Sequence, residues 1–211
     1  MTTDRRVDRS VVGLHRGGWQ DASNVLAEAF FHDPVFGWLL PDSARRGGAL
    51  QRYFGITARD VVLRHPGSVA VVERGEVLGA ALILPPAHWR TPIRVEARHA
   101  LDYSRVFGRR IGHALGALTA VERLHPRIPH YYLPYIGVVS AAQGQGIGNA
   151  LLADLTRRCD AERLPAYLEA SSPENARLYR RHGFITTRQI RPLGAPPIEL
   201  MIRRPGPLSG T

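Results

Sequence analysis

Residues 137–152 read GVVSAAQGQGIGNALL. An apolar run rich in β-branched residues passes through Gly144, Gly146 and Gly148, spaced two apart. It then enters a segment whose apolar residues, Ile147, Leu151, Leu152, Leu155 and Cys159, recur at helical spacing. The stretch therefore predicts a strand, a glycine turn and a helix in immediate succession. Glycine permits backbone conformations closed to other residues and puts no Cβ between the main chain and a ligand. The first turn of the following helix has unpaired N–H donors and a partial positive charge. Such a junction is either a bare glycine turn or an anion site, and phosphate suits it best. The dipole contributes only about 0.3–2 kcal/mol, so several N–H hydrogen bonds have to supply most of the grip.

Two familiar phosphate loops do not fit. The chain contains no Lys, all 28 of its Lys-plus-Arg cations being Arg, so the G-K-[ST] of a P-loop is excluded. A dinucleotide loop needs G-x-G-x-x-G near the start of a βαβ unit. Here the spacing is G-x-G-x-G, two-thirds of the way along the chain.

Working outward, Val7 to Leu14 predicts a strand. Trp19 to Phe31 predicts a helix, ended by His32-Asp33-Pro34 because a residue before proline leaves the helical region. Pro34 to Leu40 reads as an apolar linker, and Ser43 to His65 as a second helix with a break near Gly47-Gly48. Ser68 to Glu73 and Glu76 to Leu84 read as strands joined by an Arg74-Gly75 hairpin turn. Thr91 to Leu124 is helical with a split near Gly108, and Tyr131 to Val139 is a strand. After the Ile147–Arg163 helix come a strand over 165–170, a helix over 173–182 and strands over 184–190 and 197–203. Ser172, Pro173 and Gly183 supply the start and stop of that helix. The order β-α-α-β-β-α-β-α-β-α-β-β predicts an α/β mixed sheet with helices on its faces, in one domain over 1–204, with a mobile tail over 205–211. Within that domain the glycine junction belongs to a C-terminal part over 131–190, preceded by a mainly helical part over 19–130.

At 211 residues the chain suits a single domain, and folding removes roughly 70% of the surface of an unfolded chain of this size. The formal charge is +10, which attracts anions or reflects Arg-rich codon usage. The arginines are scattered and no helix-turn-helix, zinc-finger or RNP pattern occurs, so nucleic acid is not the expected partner. The single cysteine, Cys159, allows no intrachain disulfide. With no apolar leader-like stretch and no long apolar run, a cytoplasmic protein without membrane or metal is expected.

Gln143-Gly144-Gln145-Gly146-Ile147-Gly148 resembles the Q/R-x-x-G-x-G/A signature of the GNAT superfamily of acyl-CoA-dependent N-acetyltransferases. YLEASSPENARLYRRHGF, residues 167–184, is similar to that family's next strand and helix, with its Asn, Tyr and closing Gly-Phe. HPRIPHYYLPYIGVVSAAQGQGIGNALL and AEAFFHDPVFGWLLPD also resemble the puromycin N-acetyltransferase branch. The close resemblance spans roughly His125 to Phe184. It implies a mixed, largely antiparallel sheet with splayed central strands and helices on both faces.

The resemblance implies that the pyrophosphate of acetyl-CoA sits on the N–H groups of Gln143, Gly144, Gln145, Gly146, Ile147 and Gly148. Its pantetheine arm would run along Ile136, Gly137 and Val138. An N–H of Gly137 or Val138 is the expected oxyanion donor. Gln145 stands where Arg or Lys is frequent, which removes a charge from the loop. Tyr179 maps to the general acid that protonates the departing thiolate, and Asn175, one turn earlier, to the Asn beside the pantetheine or an ordered water. Many relatives carry a Glu base on the glycine-loop strand, but Tyr131 to Val139 holds no carboxylate. Glu169 on the adjacent strand is the first candidate, since a carboxylate in an apolar strand is costly unless paired or used; a strand-end Glu or an Arg partner is the alternative. His130 and the His32-Asp33 pair come second.

The acceptor cleft is expected between the first two helices and the 91–124 region. Phe30, Phe31, Phe36, Trp38, Trp89 and Tyr103 lie there as core or as lining. A small-molecule amine is the expected acceptor, with protein amino groups open, in a monomer or homodimer. A non-catalytic acyl-CoA sensor on the same fold is the rival from another class.

Overall fold

The computed structural model describes residues 9–206. Its strands are β1 (Arg9–Gly13), β2 (Val69–Glu73), β3 (Glu76–Leu84), β4 (Tyr131–Val138), β5 (Ala166–Ala170), β6 (Ile185–Ile190) and β7 (Ile198–Arg203). The α-helices are α1 (Trp19–Ala29), α2 (Pro34–Leu39), α3 (Ser43–Ile56), α4 (Ile93–Phe107), α5 (Ile111–Leu124), α6 (Ile147–Glu162) and α7 (Pro173–Arg181). The strands form one sheet in the order β1-β2-β3-β4-β5-β7-β6, in which only β4 and β5 run parallel. α1 to α4 cover one face with a core around Leu26, Phe36, Leu50, Phe54 and Leu82. α6 and α7 cover the other with Ile147, Leu151, Leu155, Leu168 and Phe184.

Local chemistry explains most boundaries. Arg74 and Gly75 both take positive φ, 52° and 86°, as a two-residue hairpin turn between right-twisted strands requires. Ser172 accepts from the Asn175 N–H, Pro173 takes the first helical position, and Gly183 stops α7 at φ 82°. Gly108 separates α4 from α5 at φ 49°.

Two expectations are corrected. Pro34 to Leu40 is no linker: Pro34–Leu39 is a helix, because the Asp33 carboxylate accepts from the N–H groups of Val35 and Phe36 at 2.9 and 3.0 Å. Proline ends a helix before it but opens one after it. The second helix does not break at Gly47-Gly48 either. It runs through both glycines and then changes to π-helical bonding over Thr57–Val62. Of the expected first strand, Val7 and Asp8 lie outside the described residues, as does the tail beyond Gly206. Gly206 itself is held, its N–H donating to Asp160 at 2.6 Å.

The centre of the sheet opens. β4 and β5 pair only at Tyr131↔Ala166 and Tyr132↔Tyr167. Opposite β3, Leu82 meets Tyr135 and Leu84 meets Tyr132, so β4 takes three steps where β3 takes two. This bulge falls on Leu133-Pro134, and Pro134 has no N–H to give to β5. The ladder ends beside the residue that cannot continue it.

Past the bulge, strand alternation decides which backbone groups face the gap. The Val139 N–H donates to Leu78 O at 2.9 Å, toward β3. Val138 and Ile136 therefore point their N–H and C=O groups the other way, and Gly137 points back to β3. Gln143 Nε2 donates to Val138 O at 3.3 Å on that open side. Gly137 is required for another reason: a Cβ there would stand 2.7 Å from Ala29 Cβ and 3.1 Å from Leu26 Cδ2 on α1. Gly137→Ala is expected to destabilise the fold by about 1–3 kcal/mol through overpacking. The check is a thermal melt; an unchanged midpoint would mean that α1 yields freely.

Candidate active site

Gly144 and Gly146 adopt φ 75° and 82°, and a Cβ at either would stand in open space. Gly146 caps α6 in the left-handed conformation, and regular bonding resumes with the Ala150 N–H on Gly146 O at 3.0 Å. Between these points, the N–H groups from Gly144 to Asn149 have no acceptor among the described residues. Gly148 differs, since its Cβ would meet only Leu178 at an ordinary 3.5 Å. Ile147 is buried in the core and contributes backbone alone.

A residue that the sequence pattern did not single out braces this loop. Arg9 on β1 donates to Gln145 O at 3.1 Å and to Gln145 Oε1 at 2.9 Å, while Glu73 holds the same guanidinium at 2.7 Å. A cation missing from the loop itself arrives from 136 positions away in the chain. No local motif carries such a contact. The other end of the loop is tied by Glu28 of α1, which accepts from the Ser140 N–H at 2.7 Å.

Two ionisable side chains stand on opposite faces of the sheet. Ala166, Leu168 and Ala170 of β5 belong to the α6/α7 core, so Tyr167 and Glu169 project from the other face. Tyr179 packs within the α6/α7 core and is 6% exposed. Burial raises its phenol well above the ordinary tyrosine range, and the charges of Asp33 and Glu169 add to this. Asn175 is half-buried one turn before it.

Glu169 is held deep in the protein. The Tyr132 hydroxyl donates to its Oε2 at 2.9 Å, while its Oε1 has no hydrogen-bond partner among the described residues. The Tyr167 hydroxyl faces the same carboxylate without completing a hydrogen bond. Burial pushes Glu169 up to about 7, partly offset by the tyrosines. Neither an exposed strand end nor an arginine partner accounts for it; His125 Nδ1 lies 3.8 Å from Oε1, and burial, which lowers that imidazole to about 3, keeps it neutral.

The second-choice bases resolve differently. His32 is exposed and Asp33 is buried as the cap of α2, with Ser171 donating to its other oxygen, so the two do not form a dyad. His130 is 2% exposed and bonds His125. Cys159 is fully buried with its thiol pushed up to about 12 by that burial, the setting of a packing residue. Of the aromatics expected at the acceptor side, Phe36 is buried in the core, and Phe30, Phe31, Trp38 and Tyr103 are partly buried and pack against it. Trp89 instead stacks on His125.

A parted pair of parallel strands, a glycine loop rich in free N–H groups, and a buried carboxylate and a buried phenol on opposite faces of the sheet come together in this half of the fold. The family model of the acetyltransferase (GNAT) domain matches residues 65–186, and the chain belongs to that family. A protein of Schizosaccharomyces pombe named as an uncharacterized N-acetyltransferase is 28% identical over 206 residues, covering 89% of this chain and 80% of its own. The structure titled histone acetyltransferase HPA2 and related acetyltransferase, from Corynebacterium glutamicum, is 26% identical with a TM-score of 0.71, covering 96% of this chain and 99% of its own. The polyamine N-acetyltransferase of Drosophila melanogaster shares the fold at 17% identity and a TM-score of 0.61, covering 93% and 100%. The family uses acetyl-CoA, and the protein is an acetyltransferase. Among the described residues, no helix is long and apolar enough to cross a membrane.

Proposed function

We propose that the protein transfers an acetyl group from acetyl-CoA to a small primary amine by direct attack in a ternary complex. The observation that carries this reading is the gap between β4 and β5, with Glu169 bonded to Tyr132 of β4 on one face of the sheet and the Tyr179 phenol buried on the other. Acid and base on opposite faces suit a reaction in which the nucleophile enters on one side and the leaving group departs on the other.

The residues fit acetyl-CoA. The cradle at Gly144 and Gly146 is open where a Cβ would stand, and its N–H groups are free to bind the pyrophosphate. Gln145, Ile147 and Gly148 add free backbone N–H groups to that loop, whereas the Gln143 N–H is given to Ser140 O at 3.3 Å and is not one of them. Ile136 and the Val138 N–H offer the edge of β4 that β5 leaves unpaired to the pantetheine, with Asn175 beside it; Val138 O already accepts from Gln143 Nε2. Acetyl-CoA brings the activated acyl group. The Val138 N–H, rather than that of Gly137, is the donor placed for an oxyanion, since Gly137 faces β3. Glu169 takes the proton that an ammonium must lose before it can attack. Tyr179 gives a proton to the departing sulfur. Burial favours both assignments: it keeps the phenol protonated and lifts the carboxylate to a pKa near the working pH.

Gly146→Ala tests the loop. Alanine at φ 82° costs about 1–3 kcal/mol of strain and puts a methyl group into the cradle. Calorimetry is expected to show acetyl-CoA binding weakened at least tenfold; unchanged affinity would remove the loop from the site.

The function itself is tested by release of coenzyme A thiol from acetyl-CoA against puromycin, aminoglycosides, polyamines, arylamines and Lys-containing peptides, with a no-acceptor control. The peptide arm is included because the relative from Corynebacterium glutamicum is titled a histone acetyltransferase. Release with one small-amine class supports the proposal. Release with peptides alone moves the acceptor to protein amino groups, and binding without any release leaves an acyl-CoA sensor.

A further inference from the structure

The cation that reaches the glycine loop is already neutralised when it arrives. Arg9 of β1 and Glu73 of β2 stand directly opposite each other in the sheet, and both are half-buried. The Arg9 Nε and Nη2 atoms donate to Glu73 Oε1 at 3.1 and 2.7 Å, so one edge of the guanidinium is spent on the neighbouring strand. The other edge goes to a single loop residue. Nη1 donates to Gln145 O at 3.1 Å and Nη2 to Gln145 Oε1 at 2.9 Å. A planar, rigid fork suits such paired acceptors. Gln145 Nε2 donates in turn to Ala141 O at 3.1 Å. Arginine only donates and a carbonyl only accepts, so the Gln145 amide is held in one orientation.

What this clamp fixes is a peptide plane. In a trans peptide the C=O and the following N–H point in opposite directions. Gln145 O is turned toward Arg9, so the Gly146 N–H points away from β1. That N–H has no acceptor among the described residues, and a Cβ on Gly146 would stand in open space. The backbone alone does not set this choice. Turning the plane over changes ψ of Gln145 and φ of Gly146, and glycine takes either sign of φ. Turned over, the plane would offer a carbonyl oxygen to an anion in place of a donor. Among the described residues, Arg9 is the one hydrogen-bond donor to Gln145 O.

We propose that Arg9, braced by Glu73, is the positioning residue of the glycine loop: it keeps the Gly146 N–H turned toward the diphosphate of acetyl-CoA, and it acts by orientation and not by charge. This rests on the glycine loop being the diphosphate site. A donor held in place before the anion arrives spares the ordering cost that binding would otherwise bear. Because Glu73 cancels the charge of Arg9, the pair adds no net attraction for a phosphate. Its benefit is confined to donors that carry the diphosphate, and it ends once the cosubstrate is bound, so the chemical step at Glu169 and Tyr179 does not draw on it.

The test is the double variant Arg9→Thr with Glu73→Thr. It removes one cation and one anion together, so the formal charge is unchanged, and threonines facing each other across two strands pair well. Calorimetry is expected to show acetyl-CoA binding weakened about tenfold, by the same factor at low and high salt, while kcat at saturating acetyl-CoA stays at the wild-type value. S-acetylpantetheine, which ends before the diphosphate, should serve variant and wild type equally. Unchanged acetyl-CoA affinity overturns the proposal. So does an equal loss with both donors, which would make the pair a general support of the sheet, or a loss that fades with salt, since only charge is screened. If the double variant fails to fold, Glu73→Thr alone decides. Loss of the brace should weaken acetyl-CoA about threefold, whereas a cation acting by attraction would bind it more tightly once freed; tighter or unchanged binding overturns the proposal. Gly146→Ala keeps the two readings apart. If it weakens acetyl-CoA and the double variant does not, the loop stands and the positioning role falls. If neither variant weakens it, the loop reading falls and takes this one with it.

Discussion

Tyr179→Phe is expected to lower kcat by about 10²–10⁴, the usual worth of a positioned general acid, while acetyl-CoA binds as before. The phenol packs in the α6/α7 core at 6% exposure, and Phe conserves that packing, so the fold should tolerate the change. In the proposed reaction, what is lost is one O–H that engages only as the thiolate departs. An interaction made in the transition state alone lowers kcat and kcat/KM together and leaves ground-state affinity unchanged. Burial raises the phenol above its ordinary range, so Tyr179 stays protonated throughout an ordinary assay. The alkaline side of the wild-type profile should therefore lack a fall near pH 10, the unperturbed tyrosine value. Turnover within threefold of wild type would remove Tyr179 from the chemistry. A parallel loss of acetyl-CoA affinity would make it a binding residue.

The part of the fold that periodicity and punctuation govern was legible. The glycine loop, the Arg74-Gly75 hairpin, the split at Gly108 and the Ser172-Pro173 start of α7 are local, each set by a residue whose backbone preference dominates its neighbours. The errors come from residues with two meanings. Asp33-Pro34 closes one helix and opens the next, and only the cap bonds to Val35 and Phe36 distinguish these. Gly47 and Gly48 were tolerated because α3 is held by Leu50 and Phe54, both fully buried; tertiary packing outweighs the roughly 1 kcal/mol cost of a helical glycine. Glu169 was legible as an oddity, a carboxylate in an apolar strand. Its setting was not, because Tyr132 and His125 reach it from 37 and 44 positions away. Pro134 shows the same limit. It signals an interruption of its strand, but only the register against β3 shows that the bulge separates β4 from β5 and turns Val138, not Gly137, toward the gap.

Glu169→Gln is expected to make the protein slower and more stable at once. On the activity side, an amine that must shed its own proton reacts only through its free-base fraction. With a base of pKa about 7, wild-type kcat/KM rises to pH 7 and then levels, while the variant keeps rising toward the pKa of the amine. The deficit is therefore constant and largest below pH 7. It closes by about tenfold per pH unit above it, up to about pH 10.4 for a lysine-like amine. On the stability side, Glu169 has a folded pKa raised from 4.5 to about 7. The folded protein then binds this proton more tightly than the unfolded chain, so the contribution is fully present below pH 4.5 and is lost as pH rises through 7. The difference amounts to about 3 kcal/mol, to order of magnitude. Gln keeps an acceptor for the Tyr132 hydroxyl and carries no charge to desolvate. Its melting temperature should exceed that of the wild type at pH 8 and match it near pH 4.5. A structural carboxylate would give the opposite pair of results, a deficit independent of pH and a variant less stable at pH 8. A base held at the expense of stability fits a residue kept for chemistry, and kinetics and thermal melts of one variant test both halves of that claim.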